Sequence, residues 1–136
     1  MTAGYSGTPL AEKLSLKNGM RVWFLDMPDS VRAEIEDCGL TLSEDEVPAP
    51  GINAAHIFVC QRVVMEKHLA TLRGFIDPAG HVWVSWPKKA SGVETDITED
   101  TIREVALPMG FVDIKVCAID AVWSGLKLVI RRELRK

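Results

Sequence analysis

The sequence predicts a three-layer α/β fold: a mostly parallel sheet with helices on both faces, finished by an antiparallel C-terminal hairpin. Three observations carry that expectation. Short apolar runs alternate with stretches of helical spacing, the pattern of βαβ units. Two of the runs, AAHIFVC (54–60) and HVWVSW (81–86), are largely apolar without strict alternation, as strands buried on both faces are. The last two runs, FVDIKVCAI (111–119) and GLKLVIRRE (125–133), are separated only by DAVWS (120–124). A parallel partner needs a crossover of roughly a dozen residues, so this pair is antiparallel.

The elements follow in order. Thr8-Pro9 reads as a helix start, a hydroxyl cap followed by Pro in the first turn. Leu10 and Leu14 share a face, and Asn18-Gly19 ends that helix. RVWFLD (21–26) is a strand closed by the turn MPDS (27–30). Val31 to Cys38 is a short helix stopped by Gly39. LTLSEDEVPAP (40–50) begins as a brief alternating strand and continues as an acidic, Pro-containing loop. After the 54–60 strand, Met65, Leu69, Leu72 and Ile76 mark one helical stripe. DPAG (77–80) reads as a turn into the 81–86 strand. Beyond the loop WPKKASG (86–92), Asp96-Ile-Thr-Glu99 resembles a capping box. Ile102, Val105, Ala106 and Met109 are that helix's stripe. With right-handed crossovers the helices fall on both faces. One domain over 1–136 is expected, with 1–7 as a flexible arm.

Composition narrows the function classes. The 136 residues carry a net charge of −3, against the basic excess of a general nucleic-acid binder. No apolar run is long enough to span a membrane, and the N-terminal residues lack the form of a secretory signal. Cys38, Cys60 and Cys117 are odd in number and far apart, as reduced thiols in a cytoplasmic protein are. His56, His68 and His81 show no metal-ligand spacing, so no metal site is expected.

Two resemblances add to this reading. FIDPAGHVWVSWP and the terminal pair of strands are similar to the closing half of class I methyltransferases, which implies a Rossmann-like, methyltransferase-like fold. More narrowly, YSGTPL (5–10), WPKKASG (86–92), DITED (96–100), KVCAID (115–120) and WSGLKLVIRR (123–132) resemble a family of small bacterial proteins catalogued as a domain of unknown function. That likeness implies a bacterial, cytoplasmic protein and brings no catalytic residue to carry over. The departures from methyltransferases are specific. Their first strand runs into a glycine-rich turn, whereas here Leu25 runs into Asp26-Met27-Pro28-Asp29-Ser30. Side chains take up room there, and Pro28 removes an N–H donor. Their Asp/Asn-Pro-Pro-aromatic motif is replaced by Cys60-Gln61-Arg62.

Open α/β sheets bind ligands outside the carboxyl ends of their strands. MPDS, CQR (60–62) and WPKKASG are expected to converge there. Lys88 and Lys89 bring positive charge, Ser91 a hydroxyl and Gly92 an accessible N–H, with the free N–H groups of a helix start near Asp96 behind them. This set suits a phosphate or carboxylate; a solvated lysine turn is the competing reading. An N-terminal arm could bring Tyr5, Ser6 and Thr8 to the same edge, and Trp123 in the hairpin connector could form a pocket wall or an interface. Lys115 beside Cys117 raises the question of a reactive thiolate, against the ordinary use of lysine on an edge strand. The functional expectation is a non-catalytic binding or regulatory module for an anionic small molecule or a protein carboxylate. The alternatives are a degenerate methyltransferase-like enzyme with a nucleotide or S-adenosylmethionine-like cofactor, and a dimeric scaffold.

Overall fold

The computed structural model describes residues 8–135. In chain order these residues form α1 (Leu10–Lys13), β1 (Arg21–Leu25), α2 (Asp29–Asp37), β2 (Ser43–Asp45), β3 (Ile52–Phe58), α3 (Arg62–Phe75), β4 (Ile76–Pro87), α4 (Glu99–Ala106), β5 (Phe111–Ala118) and β6 (Trp123–Ile130). Short 3₁₀ turns lie at Lys89–Ser91, Leu107–Met109 and Arg132–Leu134. The strands make one six-stranded sheet in the order β2-β1-β3-β4-β6-β5. β2, β1, β3 and β4 are parallel, and β6 runs antiparallel to both its neighbours. The C-terminal hairpin therefore enters the sheet with its second strand innermost.

Alternation along the strands sends successive side chains to opposite faces. On one face Trp23, Ala55, Ile57, Val82, Val84, Leu126 and Leu128 meet the stripes of α3 and α4. Met65, Leu69 and Leu72 of α3 are fully buried in that layer. On the other face Val22, Ala54, Phe58 and Trp83 meet Leu10, Ala11 and Leu14 from the α1 region and Val31 and Ile35 of α2.

Four local expectations are corrected. α1 has Pro9, not Thr8, at its N-cap and no side-chain cap, and it stops at Lys13 instead of reaching Asn18. Ser15 adopts a left-handed φ of 60°, which ends the helical path. Ile76 opens β4 instead of closing α3, and DPAG is drawn into β4 as a bulge. There Asp77 Oδ1 accepts from Ala79 N at 2.8 Å, so the turn chemistry survives inside a strand. Gly80 is required at this bulge, because a Cβ would lie 2.4 Å from the Asn53 carbonyl oxygen. Finally, α4 begins at Glu99 with Thr98 as N-cap, and the reciprocal box is made by Thr98 and Thr101.

Asp96 serves a different helix. Its Oδ1 accepts from Arg62 N at 2.7 Å, covering a free donor at the start of α3. The capping residue is 34 positions away in sequence, so no local pattern announces it.

Candidate functional site at the carboxyl edge of β3 and β4

β3 and β4 end side by side, and the segments that leave them are tied together. Thr95 Oγ1 donates to the Cys60 carbonyl at 2.6 Å, and Asp96 N donates to the same oxygen at 3.2 Å. With the Asp96–Arg62 bond, this clasp fixes CQR against the strand of chain that follows WPKKASG. Two adjoining clefts result. One, of about 390 Å³, lies between Cys60, Gln61 and Glu94–Asp96. The other, of about 490 Å³, has Trp86, Pro87, Val93 and Ile97 as apolar wall and Lys89, Gly92 and Glu94 at its rim.

The WPKKASG loop divides its lysines between two tasks. Lys88 Nζ donates to the Asp120 carbonyl at 2.6 Å, and Lys88 N to the Val122 carbonyl at 2.7 Å. This lysine anchors the loop to the β5–β6 connector. Lys89 is exposed, lines the larger cleft, and carries no ion pair among the described residues. Ser91 Oγ donates to the Lys88 carbonyl at 2.6 Å and accepts from Val93 N at 3.2 Å. Its hydroxyl shapes the turn. Gly92 sits at φ 76°, a conformation suited to glycine, with open space where a Cβ would be.

Other expected members are placed differently. Thr8 is exposed ahead of α1; Tyr5 and Ser6 lie outside the described residues. Trp123 is half-buried and meets Phe58 edge-on at 5.2 Å, so it packs over the end of β3. Within the MPDS turn Met27 is buried against the α1–α2 layer. One of the donors expected at the head of α4 is already engaged, since Thr101 N donates to Thr98 Oγ1. Burial raises the Cys60 thiol pKa, which keeps it protonated rather than nucleophilic. Cys117 Sγ is 3.4 Å from the Ala118 carbonyl. Among the described residues no cluster of three or more His, Cys, Asp or Glu could hold a metal, and no helix is long and apolar enough to cross a membrane.

Sequence reasoning missed the pairing of Cys60 with Thr95. It also missed Trp86 and Ile97 as a cleft wall, although both follow from the apolar runs in which they lie.

This strand order, with one reversed strand near the far edge, has known counterparts. The fold is methyltransferase-like. A methyltransferase dependent on S-adenosylmethionine from Aquifex aeolicus superposes with a TM-score of 0.63 at 12% identity, covering 89% of this chain and 87% of that one. A TehB-like methyltransferase from Corynebacterium glutamicum gives 0.55 at 10% identity, covering 95% and 91%. Aeropyrum pernix fibrillarin, solved with natively bound S-adenosylmethionine, gives 0.52 at 12% identity, covering 93% and 70%. At such identities the likeness is one of fold. No family model matches the chain, and no curated protein matches it.

The turn after β1 is where that fold cradles its cofactor. Here Asp26 takes a left-handed φ of 53°, so the backbone turns sharply as a glycine-rich loop does. Its neighbours differ in chemistry. The Met27 side chain is buried at this turn, and Pro28, the N-cap of α2, has no N–H to offer. These residues do not fit the usual cradle for S-adenosylmethionine.

Proposed function

We propose that this protein is a non-catalytic binding module that takes a small anionic molecule, or a protein carboxylate, in the cleft beside Lys89. The supporting observation is a single one: an uncommitted lysine at the rim of a 490 Å³ cleft with Trp86, Pro87 and Ile97 behind it. A ligand with an apolar body and one acidic group would use both halves. The body covers the indole and isoleucine, and the acid meets Lys89. The Gly92 N–H, expected to be accessible, is already engaged with the Lys89 carbonyl at 3.3 Å. Lys88 and Ser91 hold the loop in shape rather than touching ligand. Glu94 at the same rim disfavours a second negative charge.

A second reading, a degenerate enzyme using a nucleotide or S-adenosylmethionine-like cofactor, draws on the fold and on the left-handed turn at Asp26. Met27 and Pro28 weigh against it. The dimeric scaffold draws little from β5. Its register passes from Asp113↔Leu128 to Lys115↔Lys127, leaving Ile114 as a bulge. A bulge and an exposed lysine are features that keep an edge strand from pairing.

The test is a thermal-shift screen of nucleotides, S-adenosylmethionine, S-adenosylhomocysteine, phosphate and carboxylates, with a Lys89→Ala variant. A ligand at 100 times its Kd adds about 2.7 kcal/mol, roughly 5–10 °C for a domain near this size. A carboxylate or phosphate shift lost in the variant supports the reading. A shift given only by S-adenosylmethionine and retained in the variant moves the function to the second reading.

A further inference from the structure

A further cavity lies under α2, on the opposite face of the sheet. β2 is only three residues long, and residues 46–51 join it to β3 without a helix. α2 is therefore the main helical cover for the β1–β2 strip on that face, and it leaves a cavity of about 180 Å³. A cavity of about 150 Å³ suffices for a benzene-sized guest.

Its walls come from three directions: Val22 and Phe24 of β1, Met27 and Ile35 around α2, and Leu40 and Leu42 of the returning loop. The mouth is charged. Arg32 donates to both carboxylate oxygens of Glu44, at 2.6 and 2.9 Å, and its guanidinium lies 5.7 Å from the Phe24 ring centroid. Glu36, one turn along α2 from Arg32, is the third polar group of the lining. Arg32 is bonded to Glu44 and is also stabilised by the charges of Glu36 and Asp29. Arg32, Glu36 and Glu44 therefore sum to a net negative charge at the opening, with Glu36 the lining carboxylate not bonded to Arg32.

We propose that this cavity is a binding site for a small aromatic or branched-aliphatic ammonium compound, its body among Phe24, Ile35, Leu40 and Leu42 and its charge against Glu36. Its ligand is opposite in charge to that of the Lys89 cleft, and the two sites stand or fall separately.

The full chain carrying ¹³C-labelled Leu and Ile methyls is titrated with 2-phenylethylammonium, 3-phenylpropionate and toluene. The ammonium compound is expected to shift the Leu40, Leu42 and Ile35 methyls saturably and to bind more tightly than the other two. Glu36→Gln should weaken it about threefold, the scale of an exposed ion pair, and leave toluene unchanged. Leu42→Trp, which fills the cavity, should abolish the shifts; if that variant does not fold, Glu36→Gln decides. No methyl shift at millimolar probe overturns the proposal. So does propionate or toluene binding as tightly as the ammonium, an ammonium affinity unchanged by Glu36→Gln, or shifts confined to the Trp86–Ile97 cleft.

Discussion

The two faces of the sheet solve the burial problem differently. Toward α3 and α4 the sheet presents apolar side chains, and the helical stripes answer in kind. Toward α1 and α2 it also buries His56, His81 and Ser85. His56 Nε2 lies 2.7 Å from Ser85 Oγ, and its ring stacks on Phe58 at 4.3 Å. His81 Nε2 and Trp83 Nε1 both donate to the Leu14 carbonyl, at 2.9 and 3.0 Å. Lys127 Nζ donates to Ser15 Oγ at 2.8 Å. The reason lies in α1. A four-residue helix leaves carbonyls without partners, and the sheet supplies donors to the one it buries. One face is held by apolar area alone and the other by apolar area together with matched polar groups, so they should fail under different stresses.

Acid gives the largest predicted difference. Burial lowers the His81 pKa from 6.5 to about 4, with the Lys127 charge adding to the effect. Burial likewise lowers His56 from 6.5 to about 3, with a smaller push from His81. Above pH 6.5 both are neutral folded or unfolded, and stability is full. As pH falls from 6.5 toward 4 the unfolded chain takes up protons that the fold refuses, so stability falls. Each group can remove up to about 1.4 kcal/mol per pH unit. Denaturation at pH 7 and pH 5 should show the loss, and the His56 and His81 ring signals should stay neutral through that range. Normal titration of both rings near 6.5 would break the contrast.

Truncation on the apolar face comes next. Leu69→Ala should cost about 2–5 kcal/mol, and by nearly the same amount at pH 7 and pH 5, because no titrating contact is removed. A cost that doubles at pH 5 would couple the two faces. Trp83→Phe keeps most of the ring but removes one of the two donors to Leu14. About 1 kcal/mol is expected, measured by urea denaturation, since His81 still serves that carbonyl. The smallest effect is at Lys89. Lys89→Ala should change stability by less than about 0.5 kcal/mol, whereas Lys88→Ala should cost more by losing its bond to the Asp120 carbonyl.

Much of this was legible where the signal is local. The apolar runs gave β1, β3 and the core of β4, the helical stripe gave α3, and the short connector gave the antiparallel hairpin. What was not legible depends on distant partners. Asp96 looks like the cap of its own helix until Arg62 is seen beside it. Thr8-Pro9 looks like a full helix start until His81 and Trp83 claim the Leu14 carbonyl. At the candidate site the motif WPKKASG follows the carboxyl end of β4, where the sequence placed it. Sequence alone could not separate Lys88, turned to the connector, from Lys89, turned to the cleft, because adjacent residues on a loop have no periodicity to distinguish them.

The most direct test of the Lys89 cleft is an NMR titration of the ¹⁵N-labelled protein with the best carboxylate or phosphate from the thermal screen. The predicted result is saturable movement of the Gly92 and Thr95 amides and the Trp86 indole, with affinity falling about tenfold or more in Lys89→Ala, the scale of one charge-assisted hydrogen bond. Movement centred on Asp26–Ser30, or unchanged affinity in the variant, would contradict it.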